Sequence, residues 1–263
     1  MRMMAAGIVM TGMGWVWHAA PLAAQQDQFN WRGRLQAGET LTLRGVHGDI
    51  RALPASGGEV EVSAVKHARR DDPDEVEIEV VTHDGGVTIC AVYPAPRRRS
   101  LNECLPGGEG RNNTSDNDVE VDFTVRVPRG VHFTGKTVQG DVTADSLGGN
   151  VQVHSVNGDV EASTTGYVEA SSVNGTVRAA MGRADWTGTL ELSSVNGSIT
   201  VVLPADVSAA VEASTVNGSL DSDFPLTVQG RFSARRFRGT IGNGGRELRL
   251  GTVNGSIRLR RRP

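Results

Sequence analysis

Aromatic side chains make up only 5% of this 263-residue chain, two cysteines are its whole thiol complement, and one early segment alone is apolar enough to suggest a membrane. Each shortage excludes something. Few aromatics suit a narrow interior lined by Val, Leu, Ile and Ala rather than a broad core. Cys90 and Cys104 are too few for a Cys-only metal site. No stretch carries a helical apolar stripe, so helical bundles and α/β folds are not expected. The chemistry-bearing motifs are also missing: there is no Gly-x-Ser-x-Gly elbow, no phosphate loop and no His pair at metal-ligand spacing. The Gly-rich stretch 239–245 has no helix after it to hold a dinucleotide. These absences predict a protein without cofactor or metal that is not an enzyme.

What the chain has in quantity is one tripeptide. Val-Asn-Gly occurs at Val156-Asn157-Gly158, Val173-Asn174-Gly175, Val195-Asn196-Gly197, Val216-Asn217-Gly218 and Val253-Asn254-Gly255, each time preceded by Ser or Thr and followed by a small polar residue. Val46-His47-Gly48 and Val138-Gln139-Gly140 are close variants, and Phe237-Arg238-Gly239 is a looser one. From Gln139 onward the central residues are 18, 17, 22, 21, 21 and 16 positions apart when Arg238 is counted. A spacing near 20 residues is that of a solenoid coil or a short β-repeat. Around each copy the apolar residues alternate: Leu190 and Leu192 lead into one corner, and Ile199, Val201 and Leu203 lead out. That is strand, corner, strand.

Two all-β architectures satisfy the pattern. In an antiparallel β-meander each Asn-Gly is a two-residue type I′ hairpin turn. In a repeat β-solenoid each is a corner stacked on its equivalent in the next coil, about 4.8 Å away, with the Asn amides hydrogen-bonded in a column. The solenoid is the preferred reading, because a stacked column explains why the corner keeps its identity. Asn and Gly both tolerate positive φ, so a β-branched residue at Asn196 is expected to be strained.

The repeated Ser/Thr-Val-Asn-Gly-Asp/Ser-Ile/Val cores, with the closing stretches 238–242, 244–250 and 252–257, resemble the DUF4097 family of bacterial exported proteins regarded as adhesins. The related head domains of autotransporter-type adhesins lie nearby. The resemblance spans about residues 29–263 and is strongest after residue 135. It implies a fold of repeated strands and an adhesive role. No activity and no catalytic residue come with it.

Residues 1–24 resemble a secretory leader, with Arg2 before an apolar run from Met3 to Trp17 and small residues up to Ala24. The run is shorter than the ~20 residues of a spanning helix, and no Cys follows it to carry a lipid anchor. Residues 25–263 are then expected to be one solenoid domain, with degenerate coils over 29–134 and clear repeats over 135–263. Export to the periplasm or cell surface places Cys90 and Cys104 in an oxidising compartment, where an isolated pair is expected to form a disulfide. Before residue 135, segments 41–44, 60–63, 76–80, 87–89 and 119–125 alternate as half-buried strands, while 106–118 is a Gly-rich surface loop.

Charge is distributed unevenly. Residues 100–223 hold 17 acids and 6 bases, whereas residues 224–263 hold 10 Arg and a single Glu. Arg231, Arg235, Arg236, Arg238, Arg246 and Arg249 are candidate anion-binding residues for an anionic cell-envelope polymer or a surface glycan. The alternative is a charged cap that keeps coils from stacking end to end. Nucleic acid is not an expected partner. Asp141 and Asp159 follow the corner glycine in successive copies and would stack about 4.8 Å apart, near the spacing of retaining glycosidase carboxylates. Later copies carry Thr or Ser there, which points to turn chemistry. The expected function is a non-enzymatic adhesin-like binding or structural module of the envelope. A carbohydrate-active β-helix enzyme and an envelope sensor of anionic polymers are the alternatives.

Overall fold

A computed structural model describes residues 28–95, 101–228 and 235–262. The leader-like segment and Arg231 lie outside the described residues. Seven strands precede the clear repeats: β1 (Gln28–Gly33), β2 (Thr40–Arg44), β3 (Ile50–Pro54), β4 (Val60–His67), β5 (Glu77–His83), β6 (Gly86–Val92) and β7 (Glu120–Val127). The repeats begin with β8 (His132–Lys136), β9 (Val142–Leu147), β10 (Val151–Asn157), β11 (Val160–Thr164), β12 (Val168–Asn174), β13 (Val177–Met181), β14 (Thr189–Asn196) and β15 (Ile199–Leu203). They close with β16 (Ala209–Asn217), β17 (Leu220–Ser222), β18 (Thr227–Val228), β19 (Arg236–Ile241), β20 (Arg246–Asn254) and β21 (Ile257–Arg261).

The strands form two sheets, mostly parallel and not closed into a barrel. Ten strands run in the order β1-β4-β7-β3-β9-β11-β13-β15-β21-β17, and eleven in the order β18-β19-β16-β20-β14-β12-β10-β8-β2-β6-β5. A coil is one strand of the larger sheet, a corner, and one strand of the smaller sheet, as in β10 to β11 or β14 to β15. Successive coils pair in register, Asn157 with Asn174 and Asn174 with Asn196. This is the solenoid, and the parallel pairing excludes the meander of type I′ hairpins. Inward positions stack into apolar columns. Val160, Val177, Ile199 and Ile257 line one sheet, facing Val153, Ala170, Leu192 and Leu250 on the other, all at most 2% exposed. Each fully buried Val, Leu or Ile contributes about 1.5–3 kcal/mol, so a few coils supply the stability that one alone lacks.

Coil order in space differs from coil order in the chain at both ends. The last coil, β20 to β21, inserts between β14 to β15 and β16 to β17. At the other end β6 and β7 lie outside β2 and β3. Antiparallel strands flank the stack, with β4 and β1 beyond β7, β5 beyond β6, and β19 beyond β16. The segment Phe237-Arg238-Gly239, read above as a corner variant, therefore turns no corner. It lies in the middle of β19, and its neighbour is the antiparallel β16. Asp84-Gly85, between β5 and β6, forms the hairpin turn that the sequence reading passed over.

The corners differ from expectation in cause. None of Asn157, Asn174, Asn196, Asn217 and Asn254 has positive φ, and neither do the glycines that follow them; Gly48 and Gly140, in the two variants, do. Glycine is demanded by close approach. A Cβ on Gly158 would lie 2.0 Å from the Gly140 carbonyl oxygen, and one on Gly175 or Gly197 would lie 1.9 Å from the carbonyl oxygen of Gly158 or Gly175. Asparagine is demanded by its neighbours. Nδ2 of Asn174 donates to Oδ1 of Asn157 at 2.7 Å, Asn196 to Asn174 at 2.8 Å, Asn254 to Asn196 at 2.7 Å and Asn217 to Asn254 at 2.8 Å. Replacing Asn196 by Ala breaks the ladder on both sides and is expected to cost about 1 kcal/mol, with Asn217→Ala at its end costing roughly half. Urea unfolding midpoints check this. A larger shift for Asn217→Ala would refute the ladder as the source.

A third column went unassigned in the sequence. The hydroxyls of Ser155, Ser172, Ser194, Thr215 and Thr252 are buried, and each donates at 2.8–2.9 Å to the corner-glycine carbonyl of the adjacent coil. Their signal was visible as the Ser or Thr that precedes every Val-Asn-Gly.

Candidate binding face

On β16 the residues alternate, with Ala209, Val211, Ala213 and Thr215 inward and Ala210, Glu212, Ser214 and Val216 outward. Register carries this alternation across the larger sheet, whose outer face is therefore ruled into rows parallel to the stack. The row beside the corners is apolar: Val138, Val156, Val173, Val195, Val253 and Val216 are 38–54% exposed. The next row is small and polar, Ser171, Ser193, Gly251 and Ser214 in register. His154 and Lys136 end it on one side and Arg236 on the other. The third row is charged, running Glu191, Arg249, Glu212, Arg238.

The charged row gathers part of the predicted arginine patch. Arg236 and Arg238 both donate to Oε1 of Glu212, at 2.8 and 2.9 Å. Arg249 lies 4.0 Å from Oε2 of Glu212 and 3.7 Å from Oε2 of Glu247. The guanidinium hydrogen bonds hold the Glu212 carboxyl below its ordinary pKa. Arg246 donates through Nε to the Trp186 carbonyl at 3.0 Å, and the Arg235 carbonyl accepts from the Thr215 amide. The remaining arginines belong elsewhere. Arg260 binds Asp221 and Asp223 on the opposite sheet, and Arg261 lies over the Phe224 ring. The arginines thus do not form one patch: Arg236, Arg238 and Arg249 gather at Glu212 while Arg260 pairs on the opposite sheet, a division that their sequence density could not reveal.

Asp141 and Asp159 sit in a column of acids that cap the next coil. Oδ1 of Asp122 accepts from the Asp49 amide, Asp49 from Asp141, Asp141 from Asp159, and Asp159 from Thr176, all at 2.7–2.8 Å. Oδ2 of Asp159 faces Arg178 at 3.7 Å. These carboxylates accept from amides of the neighbouring coil, not from their own turn as expected of short polar residues there. No group of three or more His, Cys, Asp or Glu among the described residues is placed to hold a metal ion. His154 Nδ1 lies 2.7 Å from the Ser171 hydroxyl, and burial with nearby Lys136 lowers its pKa. The next residue in that row is Lys136.

Cys90 and Cys104 are joined, with Cα atoms 5.8 Å apart. The bridge fastens residues 101–119 over the same sheet. Gly107 donates to the Thr88 hydroxyl, Arg44 donates to the carbonyls of Glu109 and Gly110, and Asn112 bonds Ala91 and Tyr93 as a strand edge would. Thr42 and Thr88, outward on the sheet, are buried as a result. The open part of the face is therefore the part built by the Val-Asn-Gly coils. No helix among the described residues is long and apolar enough to cross a membrane.

The family described as Toastrack DUF4097 matches residues 54–260. No curated protein matches the chain. Among solved structures, the chain is similar to a "putative cell adhesion protein" from Clostridium sporogenes, at 11% identity and a TM-score of 0.46, covering 89% of this chain and 100% of that one. A "putative adhesin" from Bacteroides fragilis aligns at 15% identity with a TM-score of 0.36, over 88% of this chain and 96% of that one. One from Parabacteroides distasonis aligns at 10% identity and 0.25, over 89% and 98%.

Proposed function

The chain belongs to the Toastrack DUF4097 family, and we propose that it is a non-enzymatic, adhesin-like module of the cell envelope that meets its partner along a face. The observation that carries this reading is the exposed valine row, Val138 to Val216. The corner's own demands are met by the buried hydroxyl, the Asn amide and the glycine. Nothing in those columns calls for an apolar side chain on the outside, yet valine recurs there in every Val-Asn-Gly copy. A row of like side chains about 4.8 Å apart suits an extended partner better than a compact one. The Cys90–Cys104 bridge supports an oxidising location. Against the enzyme alternative, its best carboxylate pair, Asp141 and Asp159, is already committed to backbone amides.

The test is a triple variant, Val156→Thr, Val173→Thr and Val195→Thr, which keeps shape while removing apolar surface. The native chain is expected to be retained by isolated cell-envelope fractions, and the variant to lose about tenfold of that retention. Its thermal midpoint should stay within a few degrees, since exposed substitutions typically shift stability by about 0.5 kcal/mol or less. Full retention of the variant, or no retention of the native chain by any envelope fraction, would sink the reading.

A further inference from the structure

We propose that the open edge of β5 is a binding site for an extended strand of a partner polypeptide in which apolar residues alternate with basic ones. The site lies at the end of the stack and does not rest on the valine row.

The two sheets end unevenly there. Beyond β2 the larger sheet adds β6 and β5, whereas beyond β3 the smaller sheet adds β7, β4 and β1. Among the described residues β1 therefore faces no strand across the core, and the last layer holds one strand where two would close it. Phe29 and Trp31 on β1 pair with the inward Ala64 and Val62, and Ile78 and Val80 on β5 pair with the inward Ala91 and Ile89. All four pack against the core yet stay only half-buried. One further strand beside β5 would cover them.

The backbone of β5 is already oriented to bind it. The Thr40 amide donates to the Gly85 carbonyl, and β2 pairs in parallel with β6. The backbone groups of Val87, Ile89 and Ala91 accordingly turn to β2, and those of Thr88 and Cys90 turn to β5. Val81 and Glu79, opposite these two, use their backbone groups on β6. The N–H and C=O of Ile78, Val80 and Thr82 consequently face away from it, where no described strand meets them. At the other end of the stack the edge strands β17 and β18 are only three and two residues long, one of the ways in which proteins blunt an edge. β5 has seven residues in unbroken register with β6 and contains no proline.

Charge defines the partner. Glu77 and Glu79 lie on the outer face of β5, β6 beside them is uncharged, and neither carboxylate forms an ion pair with a described residue. The His83 ring is occupied, accepting from the Gly85 amide and meeting the Thr88 hydroxyl at 3.2 Å. All the segments that build this end, 28–33 and 60–119, hold 12 acids against 8 lysines and arginines. A strand with Lys or Arg opposite Glu77 and Glu79 gains from cross-strand pairing. A second copy of this chain does not fit. Pairing β5 on β5 would bring the glutamates of both copies together, and would carry the second β4 to the level that β1 already fills.

The probe is the peptide Lys-Val-Lys-Val-Lys-Val-Lys, acetylated and amidated, titrated into the full chain. Binding is expected to shift the emission of Trp31 to the blue. It should slow amide exchange at Ile78, Val80 and Thr82 but not at Glu79 or Val81, whose amides are bonded beforehand. The peptide Glu-Val-Glu-Val-Glu-Val-Glu should bind at least tenfold more weakly, and the double variant Glu77→Lys, Glu79→Lys should reverse that preference. Backbone N-methylation of one alternate set of peptide residues should abolish binding while methylation of the other set is tolerated, because only one edge of an added strand meets β5. A non-specific ionic contact would be indifferent to both. No binding, equal binding of the two peptides, an unreversed preference in the double variant, exchange protection elsewhere on the chain, or methylation effects shared by both sets would each overturn the proposal. So would sedimentation as a dimer that Val80→Pro dissociates, since β5 would then be occupied by a second copy. Thermal melts confirm that each variant was titrated in its folded form.

Discussion

Gly197→Ala will cost about 3 kcal/mol or more, or prevent folding altogether, whereas Gly251→Ala on the same face will be tolerated. Gly197 turns a corner and Gly251 lies mid-strand in β20 of the adjacent coil, and a methyl group would meet very different surroundings at the two. At Gly197 the new carbon would lie 1.9 Å from the Gly175 carbonyl oxygen, a backbone atom, and 3.0 Å from the Ser194 hydroxyl. Neither can yield locally, because that carbonyl also accepts the Ser194 hydroxyl at 2.9 Å. Relief requires two coils to separate, which breaks register for every strand pair they share. At Gly251 there is open space, and alanine is expected to shift stability by no more than about 0.5 kcal/mol. Chemical unfolding of both variants decides the matter. If Gly197→Ala unfolds with the native midpoint, close backbone approach is not what the corner glycine provides.

The second large effect concerns the stapled segment. Joint replacement of Cys90 and Cys104 by serine is expected to cost about 3 kcal/mol, the value for closing a loop of this length. Between them Ala91 and Tyr93 are buried in the core, and Asn112 and Asn102 donate to the carbonyls of Ala91 and Tyr93; beyond Cys104, Arg44 donates to the Glu109 carbonyl. Released, the stapled segment should uncover Thr42 and Thr88, so faster amide exchange is expected in β2 and β6 than in β12 and β14. Unchanged exchange in β2 together with an unchanged midpoint would show that the hydrogen bonds suffice without the bridge.

Much of the architecture was legible because it is local. Alternation with period 2 marks a strand wherever one side faces a core, and the five early segments proposed on that ground each fall on a strand, with Val76 and Val119 one residue before β5 and β7. The stacked Asn column could also be read in advance, since a repeated amide at a repeated corner has an obvious partner in its own copy. The arginine cluster could not. Arg238 and Arg249 are far from Glu212 in sequence and meet it only because β19 and β20 flank β16. The valine row was present in every repeat, but a valine in a strand-forming stretch gives no sign of whether it faces inward.

The amino-acid sequence by itself determined the unit: a strand, a corner of Asn and Gly, a second strand, and an apolar interior built mainly from Val, Leu, Ile and Ala. Tertiary structure decided how the units were ordered and why the corner needs its residues. Every Val-Asn-Gly coil presents the same amide, hydroxyl and carbonyl to its neighbour, so the ladders alone cannot distinguish β16 from β20 as the partner of β14. Contacts distant in the chain make that choice. Trp186 donates to the Glu247 carbonyl at 2.9 Å, Thr189 donates to the Glu247 carboxylate at 2.7 Å, and β21 pairs with β15 over five residues where β17 could offer three. Those contacts exist only once the last coil has slipped between its predecessors, and with that order the outer face acquires its arginines beside Glu212.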